Sequence, residues 1–257
     1  MADNGARLRG TINRVVHAMR RRVGAAPAAP QFRGAFASYA EALAAVRPGA
    51  LAGYNHAEVA DISFEKMCQR TLWDYPVLFW LNRLLPNSTR LIDAGGHMGT
   101  KFRAFRDVLT LPSGFDWAVY DVPEIVKAGR SRAERDGLTG ISFYDELAAT
   151  PPADILLASG LLQYIDIPFA DFVARLPRKP QHIILNKVAT RDGPTVVTLE
   201  DFGAAEVPYQ VRDHAAFIAT LADMGYAIED SWDIPTLSRT HPAFGASVSR
   251  GFYARLK

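Results

Sequence analysis

Leu91-Ile92-Asp93-Ala94-Gly95-Gly96-His97-Met98-Gly99 is the stretch on which the fold turns. A mostly apolar run ends in a carboxylate, passes through three glycines and enters the helix-length segment 98–109. Glycine lets the chain turn tightly and leaves main-chain N–H groups open to a ligand, so the stretch predicts a strand, a binding turn and a helix. Around the first strand, at residues 90–94, further short apolar strands are expected at residues 116–121, 141–143, 155–159 and 183–187. Helix-length segments lie at 123–136 and 169–176. Strand and helix in alternation imply right-handed crossovers and a parallel sheet covered on both faces, an α/β fold. After a helix at 214–224, residues 226–232 and 250–256 are separated only by a loop, which suits an antiparallel hairpin at the sheet edge.

The 257 residues are 49% apolar and 22% charged, enough to bury a sizeable core. No apolar run approaches the roughly 18 residues of a membrane span, so no stable membrane insertion is expected. The single cysteine, Cys68, excludes an internal disulfide framework and suits a reducing, cytoplasmic compartment. The net charge of +2 is unevenly placed. Residues 1–30 carry six arginines against Asp3 alone, a local +5 that leaves −3 for the rest. An acidic body is a poor partner for nucleic acid, whose binding needs a basic face.

Three segments are expected. Residues 1–30 form a basic tail with an Ala/Pro linker, 31–86 a helical cap, and 87–257 the sheet domain. In the tail, Ile12, Val15, Val16, Met19 and Val23 recur at helical spacing. The segment reads as a basic amphipathic helix or as a frayed arm. In the cap, Ser38 and Glu41 are spaced as a capping box, and Pro76 is expected to divide the aromatic-rich segment 63–85 into two helices.

Two ligand classes use a glycine turn of this kind. The dinucleotide pattern G-x-G-x-x-G would need glycine at Ala94; Gly96 and Gly99 fit it. The acid-x-G-x-G-x-G loop for S-adenosyl-L-methionine is met by Asp93, Gly95 and Gly99, with His97 in place of the middle glycine. A carboxylate before the first glycine repels a pyrophosphate and attracts an ammonium or sulfonium, which favours S-adenosylmethionine. Asp121, at the end of the second sheet strand and followed by Val122, is placed to hold ribose hydroxyls. Tyr144 and Asp145 follow the third strand, where an adenine would lie. The plainer alternative makes Asp93 and Asp121 turn formers or helix caps.

On these residues the chain resembles the class I S-adenosylmethionine-dependent methyltransferases over 89–187. The opening Phe32-x-Gly34-x-Phe36-x-Ser38-Tyr39-x-Glu41-Ala42, with Asp93-Ala94-Gly95-Gly96, Tyr120-Asp121-Val122-Pro123-Glu124 and Gly225-Tyr226, is similar to a largely uncharacterised bacterial methyltransferase family often found near biosynthetic genes. Some relatives are associated with azetidine-2-carboxylate formation, in which S-adenosylmethionine is itself cyclised. The resemblance implies a Rossmann-like sheet of seven strands, mostly parallel with an antiparallel final hairpin.

In such a fold the acceptor lies over the ends of the central strands. The fourth ends Ser159-Gly160-Leu161-Leu162-Gln163-Tyr164, which is not the Asn/Asp-Pro-Pro-Tyr signature of nucleobase and glutamine methylation. Ser159 could touch the cofactor and Gln163 the acceptor, or both could cap the next helix. The fifth ends Asn186-Lys187: Asn186 is a candidate for orienting an acceptor, and Lys187 reads as readily as a solvated strand end. The segment 190–210 is long enough for a lid. Catalytic candidates are Tyr164, Asn186 and His214. Tyr54 and Trp73 are the aromatics expected to face the pocket. No spacing suggests a metal site. Together these lead to a methyltransferase acting on a small molecule, with two alternatives: a cyclase releasing methylthioadenosine, and a binding protein without turnover. Oligomeric state is left open.

Overall fold

The structure is a computed structural model that describes residues 31–52, 55, 64–203 and 205–257. The basic tail and Tyr54 lie outside the described residues. In chain order, the N-terminal third contains β1 (Phe32–Phe36), α1 (Tyr39–Ala44), β2 (Leu51–Ala52), α2 (Phe64–Met67) and α3 (Tyr75–Leu84). The alternating region follows with β3 (Arg90–Ala94), α4 (Thr100–Phe105), β4 (Asp116–Tyr120), α5 (Pro123–Arg135), β5 (Ile141–Tyr144), β6 (Ile155–Ser159), α6 (Phe169–Ala174) and β7 (His182–Arg191). It closes with β8 (Val196–Asp201), β9 (Ala205–Asp213), α7 (His214–Asp223), β10 (Tyr226–Asp233), β11 (Arg239–His241) and β12 (Gly245–Leu256).

Seven strands form the expected sheet in the order β5-β4-β3-β6-β7-β12-β10. The first five are parallel, and β12 runs antiparallel to both its neighbours. The final hairpin is thus antiparallel as expected, but β12 is inserted between β7 and β10 rather than left at the edge. Central strands are apolar along their whole length because helices cover both faces. Ile155, Leu156, Leu157 and Ala158 are each 0% exposed. Neighbouring residues point to opposite sides, so Ile92, Leu156 and Ile183 face α6 and α7 while Leu91, Ile155 and Ile184 face α3, α4 and α5.

The segment expected as a separate helical cap is divided between two places, within one compact unit spanning Phe32–Lys257. Helix α3 is a core helix: Val77, Leu81 and Leu85 repeat every four residues and bury against Trp117 and Tyr253. Pro76 sits in its first turn and starts it, because a proline there gives up no intrahelical hydrogen bond. Strand β1 instead pairs with β8. Residues 190–210, expected as a lid, form the end of β7 and most of the β8–β9 hairpin, which recruits β1 and β2 and touches the main sheet where Thr190 and Arg191 pair with Arg212 and Asp213. Ser38 caps α1 by accepting from Glu41 N–H, while the Glu41 carboxylate reaches Ala37 N–H, one residue short of a closed capping box.

Glu206 fastens this second sheet. Its side chain is fully buried, accepts from Arg33 Nε and Nη2 at 2.7 and 2.6 Å and from Arg47 N–H at 2.7 Å, and also pairs with the Arg47 guanidinium. The Arg33 hydrogen bonds hold its carboxyl well below the usual range, at about 2 against 4.5. A depressed folded value contributes stability above 4.5 that is lost as pH falls towards about 2. Glu206→Gln is expected to cost about 2 kcal/mol at neutral pH. Urea unfolding should show it, with the gap between the two proteins closing as pH falls below 4.5.

Candidate functional site

At the end of β3 the chain turns through the glycines, and each is required for a different reason. Gly95 has φ +69° and donates its N–H to Tyr120 O at 2.8 Å, tying the turn to β4. A Cβ on Gly96 would lie 2.7 Å from Asp93 Cγ, and one on Gly99 would lie 2.5 Å from Ile141 Cδ1. Gly99 also sits at φ +74° before α4. His97, where the loop pattern has glycine, adopts φ +55°, a conformation histidine tolerates better than most residues. Its N–H donates to Asp121 Oδ2 at 2.8 Å.

The two acids play different parts. Asp121 lines the cavity and accepts from His97 N–H and, through Oδ1, from Val122 N–H at 2.8 Å. Burial pushes its carboxyl up to about 6 against the pull of those bonds. Asp93 is fully buried beneath the loop, accepts from Trp117 Nε1 at 3.0 Å, and leaves Oδ1 without a partner among the described residues. Burial raises its carboxyl to about 6 as well.

A cavity of about 390 Å³ opens at the carboxyl ends of β3, β4, β6 and β7. Gly95, His97, Asp121 and Val122 form one side, Ser159 to Leu161 and Gln163 to Ile165 another, and residues from Lys66 to Trp73 a rim. Lys101 and Lys187 also face it. Lys101 is neutralised by Asp74, 0% exposed, at 2.7 Å, while Asp74 Oδ2 accepts from the main chain and hydroxyl of Thr71. This buried pair pins the rim to α4.

No family model matches this chain, and no curated protein does. Among solved structures it is similar to the N-terminal domain of EvdMO1 with SAH bound, at 16% identity and a TM-score of 0.50, over 73% of this chain and 82% of that one. It is also similar to the Burkholderia thailandensis 1,6-didemethyltoxoflavin-N1-methyltransferase with bound 1,6-didemethyltoxoflavin and S-adenosylhomocysteine, at 19% identity and a TM-score of 0.50, over 72% and 79% of the two chains. The chain has the class I methyltransferase fold. To its seven-stranded sheet, β1, β2, β8, β9 and β11 are additions.

Within this methyltransferase fold the residues singled out from sequence separate cleanly. Gly95, His97, Asp121, Val122, Ser159, Trp73, Gln163 and Tyr164 line the cavity. Gln163 Oε1 is buried with no partner among the described residues, and Tyr164 donates its hydroxyl to Glu200 at 2.7 Å. Asp93, Gly96 and Gly99 shape the loop from below and do not reach the cavity. Tyr144 packs on the hydrophobic core and Asp145 is exposed, both away from the lining.

Asn186 and His214 are corrections. Asn186 is 1% exposed, donates to Trp73 O and Ser159 Oγ and accepts from Trp232 Nε1, so it holds the rim and does not line the cavity. His214 begins α7 and stacks on Phe252 of the core, outside the cavity. Sequence reasoning missed Lys66, Gln69, Thr71, Thr100 and Lys101, which reach the cavity from segments with no motif. It also undervalued Lys187, which faces the cavity and not solvent.

Because Asp93 has a raised folded value, its contribution to stability is complete below 3.8 and is lost as pH rises through about 6. Asp93→Asn keeps an acceptor for Trp117 and removes the ionisation. At pH 8 the variant should be more stable than the parent, by about 3 kcal/mol. Chemical denaturation across that range reads the difference, and a variant that unfolds more easily at pH 8 than the parent contradicts the burial argument.

Proposed function

We propose that this protein is an S-adenosylmethionine-dependent methyltransferase acting on a small molecule. The observation that carries the reading is Asp121: a carboxylate at the end of the second sheet strand, on the cavity wall, spanned by the glycine turn. Each of its oxygens accepts one N–H and keeps lone-pair capacity for a ribose hydroxyl. Gly95 leaves the backbone bare where the methionine part would pass. Gln163 Oε1 is an unmet acceptor for a ligand N–H or O–H. These residues fit the nucleoside, and the two ligand-bound structures of the same fold add support.

When bound, S-adenosylmethionine supplies an electrophilic methyl group on a positively charged sulfur. The chain's own contribution is alignment and exclusion of water. The rim from Lys66 to Trp73, held by Asp74–Lys101 and by Asn186, closes one side. Leu161, Tyr164 and Ile165 close the other. The cavity takes a compact acceptor. Its electrostatics are mixed, with Asp121 opposed by Lys66, Lys101 and Lys187, so preference for a cationic nucleoside rests on Asp121 and its neighbours rather than on a wholly acidic crevice. The opening Phe32-x-Gly34-x-Phe36-x-Ser38-Tyr39-x-Glu41-Ala42 is used for folding: Phe32 packs edge-on to Tyr209, and Ser38 caps α1.

Calorimetry with S-adenosylhomocysteine tests the assignment. The parent protein should bind it, and Asp121→Ala should weaken binding about 10- to 100-fold, the range for charged hydrogen bonds to two hydroxyls. Equal affinity in a folded variant overturns the reading. Incubation with S-adenosylmethionine alone should release no methylthioadenosine; its appearance makes the protein a cyclase.

A further inference from the structure

Between Arg250 and Phe252 the pairing of β12 with β7 slips: Arg250 opposes Val188 and Phe252 opposes Leu185, so Asn186 and Lys187 together face Gly251. This is a β-bulge, a device that re-aims a side chain. Lys187 sits in it at φ +60°, a left-handed conformation that costs an L-residue energy and persists only where the surroundings enforce it. The enforcement is visible. Trp232 lies over Gly251, where a Cβ would come within 2.0 Å of its ring, and its Nε1 holds Asn186 at 3.1 Å. Across the cavity wall, Gly160 makes room, since a Cβ there would lie 2.9 Å from Lys187 Nζ.

The amine so delivered has no hydrogen bond or ion pair among the described residues. Four charged groups from four elements face it, and each is engaged elsewhere. Asp74, before α3, holds Lys101. Lys101 on α4 is held in return. Asp93 on β3 accepts from Trp117, and Glu200 on β8 accepts from Tyr164. Burial, then repulsion by Lys101, lowers the Lys187 amine to about 8, against the weaker pull of the three acids.

We propose that Lys187 is the catalytic base of the methyl transfer, taking the proton of the attacking group on a phenolic, thiol or ammonium-bearing acceptor. This rests on the methyltransferase reading. The neutral Nζ takes the acceptor's proton, before attack in the case of an ammonium; the lone pair left on the acceptor forms the new bond to the methyl carbon, the carbon–sulfur bond breaks with its electron pair moving to sulfur, and the proton on Nζ is then lost to solvent. A base of this strength serves groups whose own proton is lost within a few pH units, which excludes unactivated alcohols. Tyr164 and Asp121 are committed to Glu200 and to the loop, and Lys66 sits exposed on the rim, so Lys187 is the amine that the fold aims into the cavity from within the sheet.

The test uses the full chain in two arms. In the first, trace acetic anhydride labels amines across about pH 6 to 10, with exposed Lys127 as internal reference. Lys187 should titrate near 8, below the ordinary lysine value of 10.5. A Lys187 that titrates at the ordinary lysine value overturns the assignment, whether or not any acceptor is methylated. In the second, methyl-labelled S-adenosylmethionine is offered with catechol, thiophenol and benzylamine. Turnover should rise with pH and reach half its maximum near pH 8, Lys187→Met should lower kcat by about 100-fold or more with S-adenosylhomocysteine affinity unchanged, and Lys187→Arg should not restore it. Rescue by arginine, or a Lys187→Met effect confined to KM, overturns the base and makes Lys187 an anion anchor. If the parent fails to bind S-adenosylhomocysteine at all, the methyltransferase reading falls instead.

Discussion

The carboxylate of Asp121 joins the chain leaving β3 to the chain leaving β4, and the shape of the site follows from that junction. Parallel strands all end on one edge, where main-chain donors lose their ladder partners and must find others. Asp121 satisfies two of them, His97 N–H and Val122 N–H, while Gly95 N–H reaches Tyr120 O. The glycine turn is thereby held open as a smooth wall. His97 keeps its left-handed backbone because its N–H bond to Asp121 depends on it.

Around this wall the charges are arranged by pairing rather than by sign. Asp74 neutralises Lys101 and, through Thr71, fixes the rim; Glu200 occupies the Tyr164 hydroxyl. A buried pair of this kind adds little net stability compared with a well-packed apolar one, yet removing one partner is costly, so it orders the rim more than it strengthens the fold. Among the described residues, Gln163 Oε1, Asp93 Oδ1 and the Lys187 amine are left without a hydrogen-bond partner. Two of these residues line the cavity, and the third is sealed beneath the loop.

The β8–β9 hairpin shows how the additions serve the common sheet. It brings Glu200 to the cavity through Tyr164 and Glu206 to the arginines of the N-terminal segment. The first residues described therefore pack onto a hairpin more than 150 positions away, with Arg33 and Glu206 separated by 173 residues. Tyr39 hydrogen-bonds Tyr164 O across the same join.

Much of the main sheet was legible without coordinates. Arg90–Ala94 and Ile155–Ser159 are centred on the apolar runs Leu91–Ile92 and Ile155–Ala158, because a strand covered on both faces is apolar towards each. The glycine turn and the acid after β4 were legible for the same local reason: backbone conformation and close approach demand particular residue types at fixed spacing. Other features were not. Residues 196–213 open on the β-branched run Val196-Val197-Thr198, but only pairing with β1 and β7 makes them sheet instead of lid. Asn186 and Lys187 are neighbours in sequence with opposite fates, one locked into the rim and the other aimed at the cavity, because a bulge opposite Gly251 separates them. Local pattern is written in adjacent residues, whereas a bulge, a clamp or an ion pair depends on which distant strand arrives beside it; that is settled only when the whole chain packs.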